Sequence, residues 1–183
     1  MIKEIIYVTL QEHESGELTL QDEKIEAKFL IGGGVVHPWH IDQFGHMNVR
    51  WYSHFFDDAA FQFLNKLGLD QTAMIEDFGI HSVTAQASTT FQVELQSGTC
   101  IEIFGRIKRM GSKSVTFEYL MTGSSTNVDH AICEAVEVFV DAKTHQSIEI
   151  PDAIRKRLEP FQGDASGGSA SSAHTFGITE TDK

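Results

Sequence analysis

Hydrophobic residues recur at helical spacing between residues 49 and 67 of this 183-residue chain. Every third or fourth position is apolar and most positions between them are polar, which predicts one amphipathic helix with a single buried face. Its apolar positions are Val49, Tyr52, Phe56, Ala59, Ala60, Phe63, Leu64 and Leu67. Gly68 follows as a stop, because glycine readily takes the left-handed conformation that ends many helices. We therefore expect one long helix here.

Alternation of apolar and polar residues dominates most of the rest of the chain and predicts five strands. They are expected over residues 25–36, 80–95, 99–108, 112–122 and 131–141. Short turns rich in Gly, Ser and Asn join the last four strands, so neighbouring strands are expected to be antiparallel. The triplet Gly32-Gly33-Gly34 lacks the Gly-Lys-Ser of a phosphate loop and predicts a bulge or bend. Together these elements predict an α+β fold in which an antiparallel sheet wraps around one long helix.

The two ends of the chain fall outside this core. Residues 1–24 contain two short strand-like runs and form a predicted N-terminal extension, compatible with a hairpin. Residues 151–161 predict a short helix that closes the domain expected over residues 25–162. The Gly- and Ser-rich residues 163–183 are predicted to be a disordered tail.

Composition and charge exclude several classes of protein. A hydrophobic content of 41% suits one ordinary core, and the chain has no apolar run long enough to span a membrane. The first residues do not resemble a secretory signal, so we expect a cytoplasmic protein. A net charge of -12 argues against nucleic-acid binding. Cys100 and Cys133 lie in apolar runs and are predicted to be buried thiols.

Four cations stand close together on this acidic chain, at Arg106, Lys108, Arg109 and Lys113. One interpretation is a binding site for the phosphates of a small polyanionic ligand such as coenzyme A. The other is a solvated hairpin with ordinary surface charges.

The segment Asp42-Gln43-Phe44-Gly45-His46-Met47-Asn48 places ionisable groups immediately before the long helix. Asn48 is a candidate N-cap, and the backbone N–H groups after it would face whatever Asp42 and His46 surround. A carboxylate beside such donors suits attack on a thioester or activation of water. Asp42 is equally suited to holding the turn, and His46 to donating a hydrogen bond within it.

A metal site is a weak alternative for the histidines near this turn. His37, His40, Asp42 and His46 are ligand types, but their spacing fits no compact zinc motif, so we expect neither a metal nor a cofactor. His54 falls off the apolar helix face and is expected to be exposed or at an interface. Most of the neighbouring aromatic residues are expected in the core or in a dimer contact. They are Trp39, Phe44, Trp51 and Phe55.

The pattern Asp-x-x-Gly-His-Met-Asn, a Tyr four residues later, and an aromatic- and Ala-rich helix ending in Leu-Gly-Leu carry a family resemblance. The chain resembles the hotdog-fold acyl-CoA thioesterases of the 4-hydroxybenzoyl-CoA thioesterase superfamily, most closely the betainyl-CoA and carnitinyl-CoA branch. Residues 25–160 are compatible with this resemblance, and residues 42–69 carry its specific part. It implies a hotdog fold of about five strands around one helix.

The resemblance also implies roles for single residues. Asp42 matches the catalytic aspartate, with His46 and Asn48 beside it, and Gly45 matches the glycine of the turn. Asp57 matches an acidic helix position at which relatives commonly carry Glu. The substrate-binding candidates are Val49, Trp51, Asp57, Arg106, Lys108, Arg109 and Lys113.

The implied substrate is an acyl-CoA, whose acyl group is quaternary-ammonium, aryl or short aliphatic. Aromatic faces together with Asp57 and Asp58 would suit a trimethylammonium group. A hydratase or dehydratase of the same fold is an alternative, although the segment DQFGH lacks the Asp-x-Asn-Pro-x-His pattern. A non-catalytic acyl-CoA-binding module is another. Apolar strand edges at residues 80–91 and 136–140 predict a homodimer or a dimer of dimers.

Overall fold

The structure is a computed structural model that describes residues 29–162 and, of the segment before them, the backbone at residues 11–12 and 18–19. Those two pieces are the strands β1 (Gln11–Glu12) and β2 (Leu18–Thr19), which pair antiparallel. The rest of the predicted extension over residues 1–24 and the predicted tail over residues 163–183 lie outside the described residues.

One five-stranded antiparallel sheet forms the body of the fold. In chain order its elements are β3 (Phe29–Val35), α1 (Val49–Lys66), α2 (Gln71–Phe78), β4 (Ile80–Phe91), β5 (Cys100–Met110), β6 (Ser114–Gly123), β7 (Asp129–Asp141) and α3 (Asp152–Leu158). Short 3-10 helices cover Pro38–His40 and Glu159–Phe161. The strand order is β3-β5-β6-β7-β4. This arrangement confirms the predicted α+β hotdog fold.

The long helix α1 lies against one face of the sheet, as its periodicity predicts. Tyr52, Phe56, Ala59, Phe63 and Leu64 are its buried residues, and they join the core with the inward side chains of the strands. Val49 does not belong to this face, because 60% of it is exposed. It is the first helical residue, and side chains there point back past the end of the helix.

Glycines in β3 allow α1 to approach the sheet closely. A Cβ atom at Gly34 would lie 2.8 Å from Cε1 of Phe55, and one at Gly32 would lie 3.1 Å from Cβ of Ala59. The pairing of β3 with β5 shifts between Leu30 and Gly32, which confirms the predicted bulge. The triplet therefore serves helix packing.

The helix α2 was not predicted from the sequence. Asp70 caps it by accepting a hydrogen bond from the Ala73 N–H at 3.0 Å, and Gly79 ends it in the left-handed conformation with φ 67°. Only Met74 is buried among its residues, so its apolar pattern is too sparse to signal a helix.

Two further expectations were wrong. The segment 136–140 is not an edge, because β7 pairs with β6 on one side and with β4 on the other. Strand β4 is an edge strand as expected.

The second wrong expectation is that both cysteines are buried. Cys100 is exposed because it begins β5 with its side chain on the face opposite α1, whereas Cys133 is buried and both thiols are free. Within residues 29–162, no helix is long and apolar enough to cross a membrane.

Candidate functional site

The segment from Asp42 to Asn48 folds into a tight turn in front of α1. The Asp42 N–H donates to the His46 carbonyl at 3.0 Å, and the Gly45 N–H donates to the Asp42 carbonyl at 3.1 Å. Gly45 has φ 87°, a left-handed conformation that residues with a side chain rarely adopt. Ile41 and Met47 pair across the base of the turn. The turn is thereby held in one shape.

Backbone hydrogen bonds tie this turn to the loop that follows β4. The Met47 N–H donates to the Leu95 carbonyl at 2.7 Å, and the Asn48 N–H donates to the His40 carbonyl at 2.9 Å. Tyr52, 4% exposed, packs edge-on against Phe91 at 5.0 Å. Burial raises the pKa of Tyr52, and a hydrogen bond with the Leu95 backbone opposes that rise. The first turn of α1 is therefore fixed to the edge of the sheet.

The Asp42 carboxylate holds the turn with one oxygen. Its Oδ1 accepts a hydrogen bond from the Phe44 N–H at 2.8 Å, so the structural role considered for this residue is real. Among the described residues, no group donates to Oδ2. Asp42 is half-buried, so this second oxygen remains available to a substrate or a water molecule.

Asn48 caps α1, as the sequence predicts. Its Oδ1 accepts from the Arg50 N–H at 3.2 Å, and its carbonyl accepts from the Trp51 N–H at 2.9 Å. The Val49 N–H finds no acceptor among the described residues. A free donor at the positive end of an 18-residue helix is suited to polarise a carbonyl oxygen.

His46 has a partner that sequence reasoning missed. Its Nε2 lies 3.0 Å from Oε2 of Glu94, with the His46 side chain 33% exposed and that of Glu94 65% exposed. Glu94 follows β4 and stands far from His46 along the chain. His46 and Glu94 come together because Met47 pairs with Leu95, and no local sequence pattern predicts that pairing.

His40 is buried beneath the turn and surrounded by aromatic rings. Its Nδ1 accepts from the His37 N–H at 3.1 Å, and its ring lies 4.4 Å from that of Trp51. Burial lowers the pKa of His40, and the nearby His37 and His54 lower it further. Within the part of the chain that the structure describes, no three His, Cys, Asp or Glu side chains form a metal-binding group.

Apolar side chains surround the turn in exposed positions. Trp39 is 64% exposed and stacks on the His37 ring at 4.2 Å, and Phe44 is 75% exposed. These two aromatic residues are thus not core residues of the chain, in contrast to Trp51 and Phe55, which are half-buried against the core. His54 is exposed as expected and lies 3.5 Å from Asp58.

A cavity of about 100 Å³ lies between α1 and the strands on the β4 side of the sheet. Its walls mix hydroxyl, thiol, carboxylate and apolar groups. They are formed by Ser53, Phe56, Asp57, Thr84, Ala87, Thr89, Tyr119, Cys133 and Ala135. Burial raises the pKa of Tyr119 well above its usual value, and the nearby acidic groups of Glu137, Cys133 and Asp57 raise it further.

Among the lining residues, the sequence identified only Asp57 as a candidate site residue. The alternation of the strands predicts that Tyr119 and Cys133 point inward, but it does not predict that they are neighbours. Their pairing between β6 and β7 follows from the register of those strands. Asp57 stands one helical turn after Ser53 on α1, so both side chains face the same cavity.

The four clustered cations, at residues 106–113, do not contact the turn at residues 42–48 of the same chain. Arg106 Nε lies 2.6 Å from Glu118 Oε1, and Lys108 pairs with Glu134 and Glu118. Arg109 and Lys113 are exposed, and Lys113 Nζ donates to the Ser147 carbonyl at 3.1 Å. Strand β5 begins beside the turn and ends at these cations, and its 11 residues span about 33 Å.

Comparisons with known proteins give a family match and several similar structures. The thioesterase-like superfamily matches residues 36–158. The PA5185 protein from Pseudomonas aeruginosa strain PAO1 is 25% identical, over 74% of this chain and 92% of that chain, with a TM-score of 0.63. No curated protein matches the chain.

Two further solved structures share the fold at lower identity. The protein SAV2348 from Staphylococcus aureus, solved in complex with CoA, is 19% identical over 83% of this chain and 97% of that chain, with a TM-score of 0.67. Slr0204, a 1,4-dihydroxy-2-naphthoyl-CoA thioesterase from Synechocystis, is 13% identical over 69% of this chain and 92% of that chain, with a TM-score of 0.61.

Proposed function

Because the chain belongs to the thioesterase-like superfamily, we propose that it is an acyl-CoA thioesterase that uses Asp42 as its base or nucleophile. One observation carries this proposal. A carboxylate with an available oxygen stands in the turn that leads directly into the N-terminus of α1, where the Val49 N–H is free. Hydrolysis of a thioester needs an attacking group and a donor for the carbonyl oxygen, and this arrangement supplies both.

Two routes use the same groups. In the first, Asp42 attacks the carbonyl carbon, the C–S bond breaks, CoA leaves as a thiolate, and water then cleaves the acyl–aspartate anhydride. In the second, Asp42 takes a proton from water while that water attacks, and CoA leaves as the thiol. In both routes the N-terminus of α1 stabilises the negative charge that develops on the carbonyl oxygen. His46, held by Glu94, orients the water.

The cavity beside Asp57 is the proposed acyl site. Its small volume and its polar walls favour a short acyl group that bears a polar or charged substituent. Asp57 would attract a quaternary ammonium group, whereas Tyr119 would accommodate an aryl group equally well. The betainyl-CoA and carnitinyl-CoA branch therefore stays one hypothesis among the acyl groups to be tested.

We propose that the enzyme is a homodimer joined through β4. This strand is an edge of the sheet and carries partly exposed apolar side chains on both faces, with Val83 42% exposed and Phe91 46% exposed. An apolar strand with unpaired backbone groups is a strong candidate for pairing with a second copy. A twofold axis across β4 would align the two strands antiparallel, so the Phe91 end of one copy would meet the Ile80 end of the other.

Such a dimer would bring the cations to the turn. Within one chain the Ile80 end of the sheet is also the end that carries the β5–β6 turn, because the Phe139 N–H donates to the Lys113 carbonyl and Ile80 pairs with Asp141. Antiparallel pairing would place this end beside the partner's Asp42. Each acyl-CoA would then contact Asp42 of one copy and the cations of the other, which are Arg109 and Lys113 in addition to the paired Arg106 and Lys108.

A panel of acyl-CoAs tests the activity directly. Quaternary-ammonium, aryl and short aliphatic acyl-CoAs are incubated with the protein while free thiol is measured, and hydration of enoyl-CoAs is followed in parallel. We expect the protein to release thiol, with a measurable kcat, from the acyl-CoAs of one of these three classes. Hydration without thiol release would identify a hydratase, and binding of acyl-CoA without either reaction would identify a binding module. Both of these outcomes would overturn the proposal.

A further inference from the structure

His130 is a buried histidine of β7 that the proposed mechanism does not use. Only 7% of it is exposed, and it stands next to the last pair of the β4–β7 ladder, where β4 leaves the sheet. Its carbonyl accepts from the Gln92 N–H at 2.9 Å and from the Val93 N–H at 3.3 Å. Its ring nitrogen Nδ1 lies 3.0 Å from the Val93 carbonyl oxygen. His130 therefore binds both the N–H and the carbonyl of Val93.

The His130 ring is the donor in the contact with Val93, because a carbonyl oxygen can only accept. The other ring nitrogen, Nε2, is buried and has no hydrogen-bond partner among the described residues. It lies against Gly123, where a Cβ atom would be 3.2 Å from it. A buried nitrogen without a partner costs stability, so packing alone does not favour histidine here over an apolar residue of similar size. The bond to Val93 is what distinguishes this side chain.

The bond at Val93 fixes the backbone of Glu94. The Val93 carbonyl and the Glu94 N–H belong to one planar peptide group, so holding the oxygen sets the orientation of the whole group. On the other side of Glu94, the Leu95 carbonyl accepts from the Met47 N–H at 2.7 Å. The Glu94 side chain is 65% exposed and lies 3.0 Å from His46. Because packing holds so exposed a side chain weakly, its placement depends on these two backbone anchors.

We propose that His130 is a positioning residue that holds Glu94, and through it His46, in the geometry that hydrolysis requires. This inference rests on the proposed function, in which His46 orients the attacking water. Without the Nδ1 donor the peptide group before Glu94 can rotate, and His46 loses a partner with a fixed place. A misplaced group of this kind lowers kcat, whereas KM, which depends on contacts with CoA, changes little.

Three replacements of His130 separate the hydrogen bond from the packing of the ring. His130→Leu keeps an apolar side chain and removes the donor, so kcat should fall by about 10-fold with KM nearly unchanged. His130→Asn places an amide N–H close to the Nδ1 position and should retain most of the kcat. His130→Gln places that N–H one bond further away, should resemble the Leu variant, and takes its place if the Leu variant does not fold. A kcat in the Asn variant no higher than in the other two would overturn the proposal.

A Glu94→Gln background shows whether His130 acts through Glu94. If it does, His130→Leu should change kcat little in this background, because the carboxylate to be positioned is already absent. A further fall of about 10-fold would assign a general structural role to His130 and contradict the proposal. The control Lys66→Met removes another side-chain donor to a backbone carbonyl, that of Leu30 in the strand at the opposite edge of the sheet. It should keep the parental kcat.

The ring nitrogen signals of His46 in NMR spectra give a readout that does not depend on activity. At one fixed pH, Glu94→Gln should shift these signals by removing the carboxylate partner. His130→Leu should shift them in the same direction, and His130→Asn should leave them near their parental positions. If these shifts appear and the protein hydrolyses no acyl-CoA, the proposed function is wrong but the link from His130 through Glu94 to His46 stands. Parental His46 signals in the Leu variant would overturn that link, whatever the activity.

Discussion

His40 is the buried titratable residue beneath the turn, and its environment predicts a pH dependence of stability. Burial and the neighbouring His37 and His54 hold its pKa below the usual value of 6.5 in the folded protein. The unfolded chain therefore binds a proton between that lowered pKa and pH 6.5, where the folded chain does not. Stability is present in full above pH 6.5 and falls as the pH drops below it.

Thermal unfolding measured across this pH range checks the expectation. The His40→Gln variant keeps an acceptor for the His37 N–H and removes the titration, so its loss of stability on acidification should be smaller. The matched control is His145→Gln, which changes an exposed histidine. If the His40 variant and the parent lose the same stability between pH 7.5 and pH 5.5, the titration of His40 does not contribute.

Arg109 and Lys113 are the exposed members of the cation cluster, and they belong to substrate binding rather than to chemistry in our account. Phosphate contacts remote from the reacting carbon hold substrate and transition state about equally, so their loss raises KM and leaves kcat unchanged. The double variant Arg109→Gln, Lys113→Gln should raise the KM for acyl-CoA by about 10-fold or more, as expected for two charge-assisted contacts.

Steady-state kinetics at low salt checks this expectation against Lys143→Gln, a control at an exposed lysine outside the cluster. An unchanged KM in the double variant would remove the two residues from the CoA site. Arg106 and Lys108 are unsuited to this comparison, because Glu118 is only 16% exposed and would lose its ionic partners.

Single residues were predictable from the sequence where their role is local. The cap at Asn48 follows from a short-range pattern and was identified correctly. The pairing of His46 with Glu94 depends on strand register and loop path, which a short-range pattern does not contain. The same reason applies to the ionic partners of Arg106 and Lys108, which lie on neighbouring strands.

At the scale of elements, the start of α1 has a structural and a chemical role that one position can separate. Asn48→Ala removes the cap and should cost about 1 kcal/mol of stability, with a melting temperature lower by about 2–4 °C. Asn48→Asp keeps the cap and the stability. Its added carboxylate repels the negative charge that develops at the helix N-terminus, so kcat should fall.

Melting curves and kcat of both variants check this separation. The account predicts an Ala variant with reduced stability and an Asp variant of parental stability with reduced turnover. An Asp variant with parental turnover would show that the helix N-terminus does not face the reacting carbonyl.

The elements themselves were predictable in proportion to their length and periodicity. The helix α1 and the five strands of the sheet carry clear patterns and were placed within a few residues. The short α2 was missed because Met74 is its only buried residue, although Asp70 and Gly79 bracket it with good capping residues. The central position of β7 was missed because pairing order is not encoded in the alternation of one strand.

At the scale of the whole molecule, we expect a dimer with sites that span both copies. Among residues 29–162, β4 has a neighbouring strand on one side only, and it exposes apolar side chains at Val83 and Phe91. Sedimentation at micromolar concentration should therefore give twice or four times the chain mass of 20.4 kDa. A stable folded monomer would contradict this expectation and the shared site with it.

Mixed dimers test the shared site itself. One copy carries Asp42→Asn, and the other carries Arg109→Gln and Lys113→Gln. If the groups of each site come from different copies, the mixed dimer contains one site with parental groups throughout and should show the parental KM at half the parental kcat. If they come from the same copy, every active site lacks the two cations, and the raised KM of the double variant would persist.

The most direct test of the central claim is the kcat of Asp42→Asn with the best acyl-CoA. The amide retains an oxygen for the Phe44 N–H, so the turn and the fold should persist, but it neither attacks a thioester nor accepts a proton efficiently. The account predicts a fall in kcat of about 10²–10⁴-fold with an unchanged melting temperature, and no such fall for the control Asp77→Asn, at an exposed residue of α2. An Asp42→Asn variant that hydrolyses every acyl-CoA at the parental rate would contradict the account.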